Sequence, residues 1–261
     1  MPEIVKRQHA LFLGHGSPMN ILADNLFTRD LKKLRNQIPE PQAILVISAH
    51  WETRNTYITS GLNPQQVYDF YGFPDNLYKY KYNAPGSPEI AKIITETVGN
   101  NLILPDPDRG IDHAAWSVLK HIYPEQKIPV LELSLDIEKD PACHYRLGQK
   151  LAGLREKNIL VIGSGNIIHN LSDIDFDEKA PPFEWAEVFD SQIKSALLNR
   201  EFDRLINYRE IGSFSRRAIP HTDHYLPMLY ILAMTGENEN IIFVHESVQN
   251  GSISMRSFIT G

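Results

Sequence analysis

Histidine is the residue type whose placement in this 261-residue chain says most about chemistry. Of its 10 histidines, four share one kind of setting. His15 follows the run Ala10-Leu11-Phe12-Leu13 and stands between Gly14 and Gly16, with Ser17-Pro18 behind it. His50 ends the run Ala43-Ile44-Leu45-Val46-Ile47-Ser48-Ala49 and precedes Trp51. His169 comes just after Ile159-Leu160-Val161-Ile162 and the turn Gly163-Ser164-Gly165-Asn166. His224 lies in Pro220-His221-Thr222-Asp223-His224-Tyr225-Leu226-Pro227, at the start of an apolar segment. Short apolar runs bounded by turn residues read as buried strands, and glycine permits tight turns and close backbone approach. Neutral imidazole is the commonest biological metal ligand, accepted by zinc, iron, copper and nickel. One histidine at a strand end is ordinarily a hydrogen-bonded turn residue. Four in this setting point to a shared metal site. In open α/β sheets, ligands bind beyond the carboxyl ends of the strands.

The elements that must position these residues follow from periodicity. After the first strand, Phe27, Leu31, Leu34 and Ile38 recur at helical spacing, with Asp24 as cap and Pro39 as stop. That gives a strand–helix–strand unit with a histidine at each strand end. Residues 52–60 form a further short strand. Ser87-Pro88-Glu89 opens a helix carrying Ile90, Ile93, Ile94 and Val98, which Gly99 ends. Leu102-Ile103-Leu104 reads as a short strand, and Asp112-His113-Ala114-Ala115-Trp116 leads into a helix through Val118, Leu119 and Ile122. A strand over 129–135 and a helix marked by Leu147, Leu151 and Leu154 follow. Trp185, Val188, Phe189, Ile193 and Leu197 mark a longer helix, and 228–234 another. Residues 241–244 and 252–255 read as two closing strands in a hairpin around Asn250-Gly251. This alternation predicts an α/β fold: a single domain over 1–261, with a central mixed, largely parallel sheet and helices on both faces.

Composition bounds the chemistry. A hydrophobic content of 42% supports a substantial core. A net charge of −6 carries no basic footprint of a nucleic-acid binder. Cys143 is the one cysteine, so intramolecular disulfides and thiolate-rich zinc or iron–sulfur sites are excluded. Any metal must be held by imidazole, carboxylate or water. No run has membrane-spanning length, and the first residues have no long apolar core of a leader. The expectation is a cytoplasmic protein without nucleic-acid or membrane partners. The oligomeric state is not encoded legibly.

Residues 61–86 stand apart. Gly61, Pro64, Gly72, Pro74, Pro85 and Gly86 break regularity, while Tyr68, Phe70, Tyr71, Phe73, Tyr78, Tyr80 and Tyr82 crowd between them. Structureless loops of this length are uncommon and often functional. The aromatics either pack on the domain surface or form a wall over a pocket, which would suit a planar aromatic substrate.

Five segments carry a resemblance. Gly14-His15-Gly16-Ser17-Pro18, Ser48-Ala49-His50-Trp51, Asp112-His113-Ala114-Ala115-Trp116, Gly163-Ser164-Gly165-Asn166-Ile167-Ile168-His169-Asn170 and Asp223-His224-Tyr225-Leu226-Pro227 occur in order. They resemble the motifs of the class III extradiol ring-cleavage dioxygenases, in the 4,5-DOPA dioxygenase-like branch, and the resemblance spans nearly the whole chain. Ala114, where the family usually has glycine, and His221 are departures from the pattern.

The resemblance implies His15, His50 and His224 as metal ligands, and His169 as the acid–base residue and also a fourth ligand when no substrate is bound. It implies His113 as a contact to substrate or developing oxyanion, and places Tyr225 beside the substrate. The implied reaction uses O2 to open the ring of a DOPA-like catechol next to the diol, giving a semialdehyde. It needs Fe(2+) with open positions, while Zn(2+) is a plausible bound metal because imidazole sites hold it readily. His169 would take a proton from the diol. Two rivals share the residues: a zinc-dependent hydrolase with His169 as base, and a non-enzymatic metal-binding member of the same fold. Arg216 and Arg217 are candidates for a substrate carboxylate.

Overall fold

A computed structural model describes residues 7–99 and 101–261. Residues 1–6, part of the stretch read above as lacking a leader core, lie outside the described residues. The strands in chain order are β1 (Ala10–Gly14), β2 (Ala43–Thr53), β3 (Tyr57–Thr59), β4 (Leu104–Asp106), β5 (Val130–Asp136), β6 (Ile159–Gly165), β7 (Ile241–His245), β8 (Val248–Gln249), β9 (Ile253–Ser254) and β10 (Ser257–Thr260). The helices are α1 (Leu26–Leu34), α2 (Asp75–Tyr78), α3 (Pro88–Val98), α4 (His113–Ile122), α5 (Pro141–Leu151), α6 (Glu184–Leu198), α7 (Phe202–Ile206), α8 (Ser215–Ala218) and α9 (Leu226–Met234).

Eight strands form one sheet in the order β4-β3-β5-β2-β6-β1-β10-β7. Its centre, β5-β2-β6-β1, is parallel, and β10, β7 and the β3–β5 pair run antiparallel. The expected mixed, largely parallel α/β sheet is what the chain forms. Alternation along the central strands feeds two apolar layers, as successive side chains point to opposite faces. Phe12, Leu45, Ile47 and Val161 meet residues of α3, α5, α6 and α9 on one face. Leu11, Leu13, Ile44, Val46, Leu160 and Ile162 meet α1 and α4 on the other. Both layers are fully desolvated, and each such aliphatic side chain contributes on the order of 1.5–3 kcal/mol. Among the described residues, no helix is long and apolar enough to cross a membrane.

Three local readings are corrected. The cap of α1 is Asn25 rather than Asp24: Asn25 and Thr28 form a reciprocal capping box, while Asp24 pairs with Arg29. The segment expected as a strand at 102–104 enters the sheet only from Leu104. The closing pair is β7 with β10, and the Asn250-Gly251 hairpin is a separate ribbon of β8 and β9. Asn250 and Gly251, in the three-residue loop that joins β8 to β9, have φ of 53° and 71°. β10 pairs with β1, placing Phe258 against Phe12.

Candidate metal centre

The carboxyl ends of β1, β2 and β6 bring the expected histidines to one rim. β1 ends at Gly14, and the His15 N–H donates to the Gly165 carbonyl at 3.0 Å. Gly16 then turns with φ +60°, which glycine tolerates. β2 loses register with β5 between Ile47 and Glu52, and His50 stands in that irregular stretch. Such a break re-aims a side chain out of strand alternation. β6 accepts the start of α9 closely because a Cβ at Gly165 would lie 2.1 Å from the His224 carbonyl oxygen. The Asn166 N–H donates to that carbonyl at 2.9 Å, holding His224 over the strand end. His169 is fixed through its backbone, which donates to the Ala218 carbonyl and bridges to Ile253 of β9. His113 opens α4 beside the cap Asp112, whose carboxylate accepts from Ser48 Oγ, Ala114 N–H and Arg109 Nη2. Asp112 thereby ties the β2 end to the start of α4.

Five imidazoles converge. His15 lies 5.1, 5.4 and 5.2 Å, ring centre to ring centre, from His50, His113 and His224. His50 lies 4.2 Å from His113 and 4.9 Å from His224. His169 stacks on His224 at 3.5 Å. His15, His113 and His224 are buried, and His50 and His169 are partly exposed.

Hydrogen bonding fixes which ring nitrogens face inward. Ser164 Oγ donates to the Ala114 carbonyl at 2.6 Å, spending its one proton. It therefore accepts from His15 Nδ1 at 3.1 Å, so His15 carries its proton on Nδ1 and a lone pair on Nε2. His50 Nδ1 faces Asp69 Oδ2 at 3.0 Å, and a carboxylate only accepts, so His50 Nε2 is also a lone pair when the ring is neutral. These two Nε2 atoms lie 3.2 Å apart. With both rings neutral these lone pairs repel unless a metal ion lies between them, and with His50 protonated its Nε2–H donates to His15 Nε2. Two nitrogens on one zinc-like ion at 2.0–2.1 Å are separated by roughly 2.9–3.4 Å for ligand angles near 90–110°. The observed separation fits a shared metal. Ligand atoms of His15, His50 and His113 all fall within 4.8 Å of one another. Neither ring nitrogen of buried His224 has a hydrogen-bond partner: Asp223 Oδ2 is 3.1 Å from Nδ1 but out of line.

The electrostatics agree. Burial, then neighbouring imidazoles, holds His15 and His224 well below the usual histidine range. Burial and His50 lower His113. Burial pushes His169 down to about 4, so its ring is neutral near pH 7. His50 goes the other way: burial opposes its charge, but the hydrogen bond to Asp69 and the charges of Asp112, Asp69 and Asp223 outweigh it. The rim thus presents the neutral nitrogens of His15, His113, His169 and His224 beside His50, whose acidic neighbours favour a positive charge. Nearby Glu132, buried beside Asp112, is pushed well above the carboxylate range by burial first and Asp112 second.

All five expected histidines are at the centre. Tyr225 is a correction: it is 1% exposed, and its hydroxyl donates to the Leu205 carbonyl at 2.9 Å, so it braces the His224 segment from the core. Its neighbour His224 faces the rim, and the turn before α9 sends the two side chains apart. Arg217 is committed to Asp173 and lies over the Trp185 ring, whereas Arg216 is exposed. The aromatic loop does wall the centre, with Phe70 edge-on to His113 at 5.3 Å and Tyr68 against Trp116 at 5.6 Å. Asp69 and Ser164, which orient the histidines, escaped sequence reasoning. A lone loop aspartate has no spacing signal, although its place among aromatics was a hint.

A rim of converging, inward-facing imidazoles at the end of a largely parallel sheet defines a metal-dependent α/β protein. The sequence matches, over residues 10–257, the family described as the catalytic LigB subunit of aromatic ring-opening dioxygenase. The chain is 42% identical to 4,5-DOPA dioxygenase extradiol of Escherichia coli (strain K12), over 98% of this chain and 95% of the relative. It is 37% identical to the Beta vulgaris protein of the same name, over 96% of each. The crystal structure of an uncharacterized Escherichia coli K12 protein superposes with a TM-score of 0.86 at 39% identity, covering 98% of this chain and 100% of that one. The chain belongs to the LigB family and is an extradiol ring-cleaving dioxygenase, which sets aside the hydrolase and non-enzymatic readings.

Proposed function

We propose that the whole chain works as one catalytic domain that opens the ring of a DOPA-like catechol next to its diol, giving a semialdehyde. The reading of the site rests on one observation: His15 Nε2 and His50 Nε2 face each other across 3.2 Å, with Nδ1 of each ring held by an oxygen. The names of the relatives support the substrate class. His15, His50 and His224 hold the metal, with His113 on the substrate side. His224 is preferred as third ligand because neither of its buried ring nitrogens has a hydrogen-bond partner. Fe(2+) is the working metal; when bound, it supplies the redox chemistry that lets the diol react with O2. Zn(2+), which has no redox chemistry, would fill the same nitrogens without turnover.

The chain's own groups do the rest. Among the described residues His169 makes no ring hydrogen bond. Neutral near pH 7, it accepts the second proton of a bound catechol monoanion, a role that contributes about 10²–10⁴-fold. While the centre lacks substrate, His169 serves as a fourth ligand, its ring lying 3.5 Å from that of His224. His113 lies on the substrate side; with its Nδ1–H held by Asp69, its bare Nε2 accepts from a substrate hydroxyl. Phe70 packs the aromatic ring of the substrate from the loop side. The test is oxygen uptake with catechols after anaerobic loading. Iron(II)-loaded protein should consume oxygen and form a yellow semialdehyde, and zinc-loaded protein should do neither. Failure of the iron-loaded protein with every catechol tried would remove the proposal.

A further inference from the structure

Asp69 is the one side chain among the described residues that hydrogen-bonds two of the converging histidines. Oδ1 accepts from the His113 backbone N–H at 3.1 Å and from His113 Nδ1 at 2.9 Å, while Oδ2 accepts from His50 Nδ1 at 3.0 Å. His50 comes from β2 and His113 from α4, so one carboxylate spans two elements. The loop that carries Asp69 is stitched down just before it. Val67 N–H donates to the Ile111 carbonyl, and Ile111 N–H to the Gln65 carbonyl, each at 2.8 Å. Trp116 Nε1 donates to the Val67 carbonyl at 3.1 Å. A Cβ at Gly110 would lie 2.0 Å from the Gln65 carbonyl oxygen, so only glycine permits this seam. Phe70, on the other side of Asp69, packs on His113. The carboxylate is therefore held from both sides with its side chain 18% exposed.

We propose that Asp69 is the positioning residue of this centre: it locks His50 and His113 as Nδ1–H tautomers, leaving a bare Nε2 on His50 for the metal and a bare Nε2 on His113 for the substrate side. It acts through the two histidines and touches neither substrate nor metal. A carboxylate is required because both of its oxygens must accept. Asparagine has the same shape but offers one acceptor and one NH2 donor, so in Asp69→Asn one histidine N–H meets a donor. That ring must rotate or move its proton to Nε2, where on His50 the proton blocks coordination. The inference rests on the metal reading above only for its functional consequence, since the tautomers exist without metal.

The experiment uses full-length, metal-free protein labelled with 15N-histidine, at alkaline pH where the rings are neutral. Imidazole 15N shifts should report protonated Nδ1 and bare Nε2 for His50 and His113 in the wild type, with at least one of the two patterns lost in Asp69→Asn. Zinc affinity, read by competition with a chelating dye, should fall about 10–100-fold in Asp69→Asn, as loss of an outer partner of a metal-binding histidine does. Tyr71→Ala, on the same loop but 91% exposed, should change neither readout. An Nε2–H tautomer at His50 or His113 in the wild type overturns the proposal even if the variant fails to fold. Unchanged tautomers and zinc affinity in folded Asp69→Asn do so as well. Absence of zinc binding by the wild type, with its tautomers as stated, would instead sink the metal reading and spare the role of Asp69 as tautomer lock.

Discussion

Two groups of buried histidines in this chain differ in what their nitrogens face. His121 and His144 serve packing. His121 Nε2 donates to the Asn20 carbonyl at 2.9 Å, and His144 Nδ1 bonds the Tyr230 hydroxyl at 2.9 Å. Buried His15 and partly exposed His50 also set Nδ1 against an oxygen partner, yet their remaining nitrogens point at each other. Burial lowers both groups: His121 and His169 each fall to about 4. A depressed histidine pKa therefore does not by itself mark a ligand. Convergence of lone pairs is what separates a ligand from a core residue.

Substitution breaks this comparison most sharply. His15→Ala and His50→Ala should each abolish stoichiometric metal binding and with it all turnover, as measured by metal analysis and oxygen uptake. His224→Ala should also lose metal, while His113→Ala should keep it and turn over about 10²-fold more slowly. The reverse outcome would make His113 the third ligand and His224 the substrate-side residue. His169→Ala should retain metal and lose about 10²–10⁴-fold in kcat. His121→Ala and His144→Ala should leave metal content and kcat unchanged, and cost about 1–3 kcal/mol of stability in denaturant titrations.

Gly165→Ala sharpens it further, because the added methyl collides with the His224 carbonyl. Overpacking of this kind costs about 1–3 kcal/mol, and metal affinity should fall with it. Acid is a gentler probe. His15, His113, His121, His144, His169 and His224 are all held below the free-histidine value, so below about pH 6.5 the unfolded chain binds protons that the folded chain refuses. Their stabilising contribution is present above that pH and is lost as pH falls through the folded values. Groups at about 4, His121 and His169, should each remove about 1–2 kcal/mol between pH 7 and pH 5. Urea unfolding of metal-free protein checks this, and constant stability over that window would contradict the neutral, desolvated centre. His50, raised in the fold, works in the opposite sense and loses its contribution as pH rises.

Legibility in the sequence followed the same physical division. β1, β2 and β6 were readable because a continuous apolar run ended by glycine or histidine has few other uses, and α9 because it is apolar all round and buried. β10 escaped because Ser257 and Thr260 dilute its apolar pattern, and its place is set by pairing with β1, a contact far away in sequence. The histidines were legible as residues in a repeated local setting. Asp69 was not, because its role depends on a loop seam that brings residues 67 and 111 together. Tyr225 was misassigned because neighbours of a site residue in sequence can point away from it in space.

X-ray absorption or anomalous diffraction on iron(II)- or zinc-loaded protein tests the central claim most directly. A single metal ion should lie about 2.0–2.2 Å from both His15 Nε2 and His50 Nε2, with further imidazole nitrogen in its shell. A stoichiometric metal bound elsewhere, or bound through the Nδ1 atoms of these two rings, would contradict the account.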